Sequence, residues 1–278
     1  MKCPHYSVLS SVYINEKPEY LRKSIESMVS QSVQTNDYII VKDGPITPEL
    51  QKVLDEYTDR YPYIRVFSYE KNRGLGYALN FGISKCKNEL IARMDTDDIA
   101  LPNRCQRQLF EFMSNPALDI VGTSIYEFKD NEDDIITVKN MPESAEDIRN
   151  YARRRNPFNH PTVMYKKKSV INCGGYIEGQ RGEDFALFTK MVFEGCITRN
   201  INEKLFLYRA DESQFKRRSS YMDSKVVITI AKRNLRSKYI SISDYCFIVI
   251  SQYVGMLLPV SIGTKIFRKI FRDSFELD

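Results

Sequence analysis

The sequence lacks several features on which common site types depend. Of its 278 residues only 2 are histidine, and none of its 6 cysteines forms a CxxC pair. Neither a histidine-based metal centre nor a zinc ribbon is therefore expected. The amino terminus shows no apolar core followed by a small-residue cleavage site, which argues against a secretion signal. Isolated cysteines of this kind fit a reducing compartment. No internal repeat or low-complexity tract is visible.

What the sequence does contain is a globular composition with an uneven charge. Hydrophobic residues make up 42% and charged residues 28%, which excludes collagen-like, coiled-coil and wholly disordered chains. The formal charge is +5, but the segment from Lys204 onward carries 14 Lys and Arg against 7 Asp and Glu. The basic excess thus lies in the last quarter of the chain, where it predicts an anionic partner.

The same quarter contains an uncharged run, Tyr245–Thr264, followed by a basic segment. The cations of this basic segment alternate with isoleucine and phenylalanine; they are Lys265, Arg268, Lys269 and Arg272. The run is long enough to span a bilayer, but serine, glutamine, glycine and proline interrupt it. The pattern favours an amphipathic attachment to an anionic membrane face. A single span and a soluble helix pair are the alternatives. Nucleic acid is not expected, because no zinc-finger or RRM signature accompanies the cations.

Short apolar runs alternate with helical periodicity through the first half of the chain. This order predicts an α/β domain with a mostly parallel sheet flanked by helices. The second half is less regular. The predicted strands are Ser7–Tyr13, Tyr38–Lys42, Ile64–Tyr69, Glu89–Met94, Asp119–Phe128 and Leu205–Tyr208. The predicted helices are Pro18–Gln31, Pro48–Tyr61, Gly76–Cys86, Asn103–Ser114, Glu183–Glu194 and Arg218–Ser237.

An acidic motif, Asp95-Thr96-Asp97-Asp98, directly follows the predicted fourth strand. Three carboxylates in four residues repel one another, and a divalent cation is the simplest compensation. Such an ion bridging a diphosphate would neutralise a departing nucleoside diphosphate. A solvated acidic turn is the alternative. An EF-hand is not favoured, because Leu101 and Pro102 stand where that loop needs other residues.

Four blocks in order resemble the family 2 glycosyltransferases, which have the GT-A fold and use nucleotide-sugar donors. They are SVLSSVYINEKPEYLRKSIESMVSQS, IIVKDGP, NRGLGYALNFGI and ARMDTDDIALPNR. The resemblance implies a single GT-A domain over residues 1–215. Residues 1–102 would form its nucleotide-binding half and 103–215 its acceptor half. Residues 216–278 would form a helical, membrane-associating region.

The resemblance also implies roles for individual residues of the donor site. Asp97 is expected to be the main ligand of Mn²⁺ or Mg²⁺, and Asp95 to approach the metal or the ribose. Asp43 resembles the carboxylate that reads the uracil imide, although Lys42 stands where many relatives carry a second Asp. The remaining donor-binding residues implied are Ser11 in the nucleotide pocket, Asn72 and Arg73 in the loop near the nucleotide, and Arg217 and Arg218 near the diphosphate. A solvated helix start is the alternative for the last two, and an exposed loop cation for Arg73.

A second pair of carboxylates, Glu183 and Asp184, opens a predicted helix. A purely structural cap is one interpretation, since the helix dipole favours acidic residues there. The resemblance implies instead that Asp184 is the catalytic base, with Glu183 supporting it or contacting the acceptor. His160, in the block NPFNHPTVM, would position the acceptor or a phosphate, or else be a satisfied structural group.

The hypothesis is an inverting glycosyltransferase that moves a hexose, galactose or glucose, from a UDP-sugar to a lipid-linked saccharide. GlcNAc-diphosphoundecaprenol in O-antigen or capsule assembly is the acceptor that the resemblance suggests. The enzyme would lie on the cytoplasmic face of the inner membrane, peripherally or through a single span. One alternative is a nucleotidylyltransferase, although Ser11–Asn15 is not the Gly-rich loop that such an enzyme needs. The other is a non-catalytic membrane scaffold, which would not show metal-dependent UDP binding.

Overall fold

The computed structural model describes residues 3–129, 131–179, 181–210 and 221–257. The strands are β1 Tyr6–Val12, β2 Asp37–Lys42, β3 Ile64–Ser68, β4 Leu90–Arg93, β5 Ile99–Ala100, β6 Ile120–Phe128, β7 Ile135–Lys139, β8 Met164–Lys166 and β9 Thr198–Arg209. The α-helices are α1 Pro18–Val29, α2 Pro48–Arg60, α3 Leu75–Lys85, α4 Arg104–Ser114, α5 Ala145–Ala152, α6 Lys167–Asn172, α7 Glu183–Phe193, α8 Tyr221–Arg236 and α9 Ile242–Leu257. A short 3-10 turn spans His160–Thr162. The predicted elements of the first half are confirmed, with ends that move by one or two residues.

The described strands form one sheet in the order β3-β2-β1-β4-β8-β6-β9-β5, with β7 paired to β6. The first four strands are parallel, as expected. The expectation of a mostly parallel sheet is nevertheless wrong for the second half. There β8 is antiparallel to both of its neighbours, and β7 and β5 pair antiparallel to β6 and β9. Antiparallel neighbours need no helical crossover, which agrees with the loss of regular helical periodicity after α4.

Helices cover both faces of the sheet. On one face α1, α2 and α4 bury residues such as Leu21, Leu54 and Leu109 in a core shared with β1 and β2. On the other face α3, α5, α6 and α7 enclose a second core. Strands covered on both faces direct polar side chains to the strand ends, and open α/β sheets bind ligands at their carboxyl edge. Of the predicted site residues, Asp43 follows β2 at this edge, and Asp95 and Asp97 follow β4.

Helices α8 and α9 pack on the α/β domain. Ile230 of α8 joins Phe185 and Ala186 of α7 in a small core, and α9 packs on α8 around Ile248. Arg153 and Arg154 form ion pairs with Asp244 at the start of α9. Helix α8 is thus packed against the element that opens with Glu183 and Asp184.

Helix α9 carries exposed apolar side chains on its outer surface. Phe247, Ile250, Val254 and Leu257 are 42%, 61%, 49% and 84% exposed. Their spacing of three or four residues places them along one side of the helix. Within the ranges that the structure describes, no helix is both long and apolar enough to cross a bilayer. The basic segment around Lys265–Arg272 lies outside those ranges.

Candidate active site

The acidic motif forms a compact cluster directly beyond β4. Carboxylate oxygens of Asp95, Asp97 and Asp98 all lie within 4.8 Å of one another. Asp95 and Asp97 are partly exposed, whereas Asp98 is buried. Mg²⁺ and Mn²⁺ prefer carboxylate oxygens and keep open positions for water and phosphates. The partly exposed carboxylates of Asp95 and Asp97 therefore fit such an ion.

Asp98 has a different, structural role. Its Oδ1 accepts a hydrogen bond of 2.7 Å from the backbone N–H of Arg209, and the Arg209 Nε donates to the carbonyl of Asp97 at 2.9 Å. The Arg209 guanidinium lies between the rings of Tyr20 and Phe128, at 3.8 and 4.4 Å from their centroids. The end of β9 thereby fixes the backbone of the acidic motif.

Asp95 of this cluster pairs with the buried Arg93, whereas Asp97 and Asp98 have no ion pair among the residues that the structure describes. Burial, together with the charges of Asp95 and Glu16, raises the pKa of Asp97 to about 7. Burial and the charges of Asp97 and Asp95 raise the pKa of Asp98 well above its ordinary value. Glu16, which follows β1, accepts a hydrogen bond from the Thr96 hydroxyl. A raised carboxyl pKa next to other carboxyls is what a bound divalent cation would reverse.

Asp43 connects the end of β2 to the loop that contains Asn72 and Arg73. Its carboxylate accepts hydrogen bonds from the Tyr69 hydroxyl and from the backbone N–H groups of Arg73 and Gly74, at 2.8 to 3.0 Å. The side chain of Asn72 donates to the Asp43 carbonyl at 3.1 Å. The structure thus brings Asp43, Asn72 and Arg73 together. Ser11 lies on the neighbouring strand β1, where it is paired with Val41 of β2.

The side chain of Arg73 is held by protein groups. Its guanidinium lies 3.3 Å from the ring centroid of Tyr77, and Nη2 is 4.0 Å from Glu178 Oε2. A cation over an aromatic ring is stabilised by the ring quadrupole. The Arg73 side chain is nevertheless 51% exposed.

The second carboxylate pair opens α7. Gly182 directly precedes Glu183 and has a φ of 74°. This left-handed conformation favours glycine. The Asn156 side chain donates to Asp184 Oδ2 at 2.7 Å. Burial and the charge of Asp184 raise the pKa of Glu183 to about 7, and burial raises the pKa of Asp184. A buried carboxyl with a raised pKa is suited to accept a proton near neutral pH.

His160 lies close to this pair rather than in the donor loops. Its Nε2 is 3.3 Å from the Tyr176 hydroxyl, and its ring packs against Phe188 of α7. Burial, with a smaller contribution from the charge of Arg93, lowers its pKa well below the ordinary value. His160 is therefore a neutral imidazole, able to exchange hydrogen bonds but not to supply charge to a phosphate.

Sequence reasoning missed two arginines of the site. Arg93, the last residue of β4, is wholly buried and forms an ion pair with Asp95. A charged residue inside an apolar strand was a usable signal for it. Arg209 gave no local signal, since its contacts with the acidic motif join distant parts of the chain. Arg217 and Arg218 lie outside the described residues.

Comparisons with known proteins find relatives over most of the chain. The profile described as Glycosyl transferase family 2 matches residues 7–179. A UDP-Gal:alpha-D-GlcNAc-diphosphoundecaprenol beta-1,3-galactosyltransferase of Escherichia coli is 35% identical over 269 residues, which cover 97% of this chain and 97% of that protein. The amylovoran biosynthesis glycosyltransferase AmsE of Erwinia amylovora is 31% identical, over 95% of this chain and 98% of its own length.

A solved structure supports the fold. The mannosyltransferase PcManGT of Pyrobaculum calidifontis, determined in complex with GDP-Man and Mn²⁺, superposes with a TM-score of 0.62 at 12% sequence identity. The match covers 97% of this chain and 81% of that one.

Proposed function

This chain belongs to glycosyltransferase family 2, and we propose from that membership that it transfers galactose from UDP-galactose to a lipid-linked GlcNAc diphosphate. The reaction would be inverting and dependent on Mn²⁺ or Mg²⁺. The observation that carries the proposal is the presence of two separate carboxylate groups, one after β4 and one opening α7. The relative named for this donor and acceptor matches the chain over nearly its whole length. Family membership favours sugar transfer over nucleotidyl transfer.

The donor would lie across the carboxyl edge of β1, β2 and β4. Asp43 would accept a hydrogen bond from the uracil, Ser11 would line the base pocket, and Arg73 would face a phosphate. Asp97 and Asp95 would hold the cation, which neutralises charge on the departing diphosphate. Asp98 would keep those two carboxylates in place through its bond to the end of β9.

Asp184 would act as the general base. The acceptor hydroxyl gives its proton to the Asp184 carboxylate while its oxygen bonds to the anomeric carbon. The bond from that carbon to the diphosphate oxygen breaks, and UDP leaves with the bonding pair. A single displacement of this kind inverts the anomeric centre. Asn156 orients the base through its bond to Oδ2, and Glu183 or His160 would contact the acceptor.

The test is UDP release with UDP-galactose, Mn²⁺ and a GlcNAc-diphosphate-lipid, followed by identification of the anomeric configuration. Asp184→Asn keeps the size of the side chain and one of its two acceptor oxygens but removes the base. We expect its kcat to fall by about 10²–10⁴-fold, while metal-dependent UDP binding is retained. An α-linked product, or an unchanged rate for Asp184→Asn, would refute the mechanism.

We also propose that the enzyme attaches peripherally to the cytoplasmic membrane, where a lipid-linked acceptor is found. The exposed apolar side of α9 and the basic segment that follows it in sequence support this. An apolar helix side with adjacent cations suits the headgroup region of an anionic bilayer. The matched control is Ile171, an apolar side chain of α6 that is 54% exposed, close to the 61% of Ile250.

In a flotation assay with vesicles of phosphatidylethanolamine and phosphatidylglycerol, we expect the wild-type protein to bind. Ile250→Asp should weaken binding by at least about tenfold, because it places a charge on the buried side of an interfacial helix. Ile171→Asp should not. Equal binding by both variants would contradict the assignment of α9 as the contacting element.

A further inference from the structure

Arg93 occupies a position that packing stability does not explain. Its side chain is wholly buried at the end of β4. Nη1 forms an ion pair with Asp95, but Nε and Nη2 have no hydrogen-bond acceptor among the residues that the structure describes. An unsatisfied buried donor costs about 1–3 kcal/mol. Folded proteins retain an unsatisfied buried group of this kind mainly at functional sites.

The orientation of Arg93 is fixed by its backbone. Its N–H donates to the carbonyl of Val163 at 2.9 Å, and its own carbonyl accepts a bond of 2.6 Å from Nη2 of the buried Arg104. Both contacts brace the strand end immediately before the acidic motif. The guanidinium therefore leaves a rigid element rather than a loop.

Both carboxylate groups of the site lie within the electrostatic reach of this one cation. The Arg93 charge acts to lower the pKa of Asp97. It also acts to lower the pKa of Glu183 and of Asp184, against the effect of burial. The two groups come from distant parts of the sequence, and one cation acts on both.

We propose that Arg93 is a positioning residue for the transfer step: its ion pair holds Asp95 as an oriented anion at the end of β4, and its buried charge favours the anionic form of the Glu183–Asp184 pair. This inference rests on the proposed function. Because the Arg93 cation competes with a divalent cation for the Asp95 carboxylate, Arg93 does not assist metal binding. Its loss should therefore impair transfer without weakening metal-dependent binding of UDP.

The variants are Arg93→Met, which keeps the apolar stem but removes the charge, and Arg93→Lys, which keeps the charge. The matched control is Arg65→Met. Arg65 pairs with the buried Asp37 in the same sheet, but at the amino-terminal edge of the strands, away from the site. The control thus removes an arginine from an ion pair of the sheet without touching either carboxylate group.

Two quantities are measured: kcat for transfer, and the Kd of Mn²⁺-dependent UDP binding by calorimetry. For Arg93→Met we expect kcat to fall on the order of 100-fold, the usual loss when one preorganised charge is removed from a site. Its Kd for UDP should stay equal or become tighter. Arg93→Lys should recover at least about tenfold in kcat, and Arg65→Met, although less stable, should keep the wild-type kcat.

The inference is overturned if Arg93→Met transfers at the wild-type rate, or if its UDP affinity falls in parallel with kcat. If Arg93→Met does not fold, Arg93→Gln, which also removes the charge, takes its place in the same comparison of kcat and Kd. Failure of the proposed function looks different: the wild-type enzyme itself would then transfer no hexose to the lipid acceptor, although UDP binding by the variants could still be compared.

Discussion

Gly182 offers a quantitative test of how the C-terminal helices support the second carboxylate pair. It precedes Glu183 with φ of +74°, and a Cβ at this position would lie 2.8 Å from Cδ1 of Ile230 and 3.1 Å from Cγ1 of Val226. Gly182→Ala therefore carries two penalties. The left-handed conformation costs about 1–2 kcal/mol, and overpacking against α8 costs about 1–3 kcal/mol more. We expect a total loss of about 2–5 kcal/mol.

Gly179 is the matched control, because its φ is +73° and a Cβ there would meet nothing within 4 Å. Gly179→Ala should lose only the conformational part, about 1–2 kcal/mol. Adding Ile230→Val to Gly182→Ala removes the clashing methyl and should restore part of the difference. The free energy of unfolding is measured by urea denaturation and followed by circular dichroism, since the chain contains no tryptophan. Equal losses of unfolding free energy in Gly182→Ala and Gly179→Ala would refute the close packing of α8 against Gly182.

Two further predictions concern the carboxylates of the site: the pH dependence of transfer and the binding of the metal. The pKa of Glu183 is raised to about 7 and that of Asp184 is raised, and the base must be deprotonated to act. We therefore expect kcat to fall as the pH drops below neutrality, measured as UDP release from pH 5.5 to 8.5. The midpoint should not move when Mn²⁺ is varied above saturation, and a flat profile would contradict the role of this pair. Asp97→Asn should weaken Mn²⁺-dependent UDP binding by at least about tenfold in calorimetry, whereas Glu132→Gln, on an exposed loop, should not.

The sequence was sufficient to locate most of the candidate site residues, because parallel strands carry such residues at one edge. Asp43 and Asp95 follow apolar runs that could only be covered strands. Asp184 opens a helix after a glycine-rich loop. These are local patterns, and the family resemblance added their roles.

The remainder depends on contacts between distant residues. Strand β8 has only three residues, too few to show a period, so its antiparallel insertion between β4 and β6 was not foreseen. The last strand was predicted to end at Tyr208, one residue short of Arg209. That single residue carries the bonds to Asp97 and Asp98. Local periodicity contains no information about such a partner.

The packing of α8 over Gly182 sets a limit on how this enzyme can be divided or recombined. By sequence the chain divides conveniently near residue 215, which invites truncation before the basic helices or exchange of the C-terminal quarter with a relative. A shortened chain would uncover Phe185 and Ala186 immediately beside the proposed base. A chimera would place a foreign side chain where Ile230 meets Gly182. Swaps intended to change membrane attachment should therefore begin after α8, so that the helix next to the base remains with its own partner.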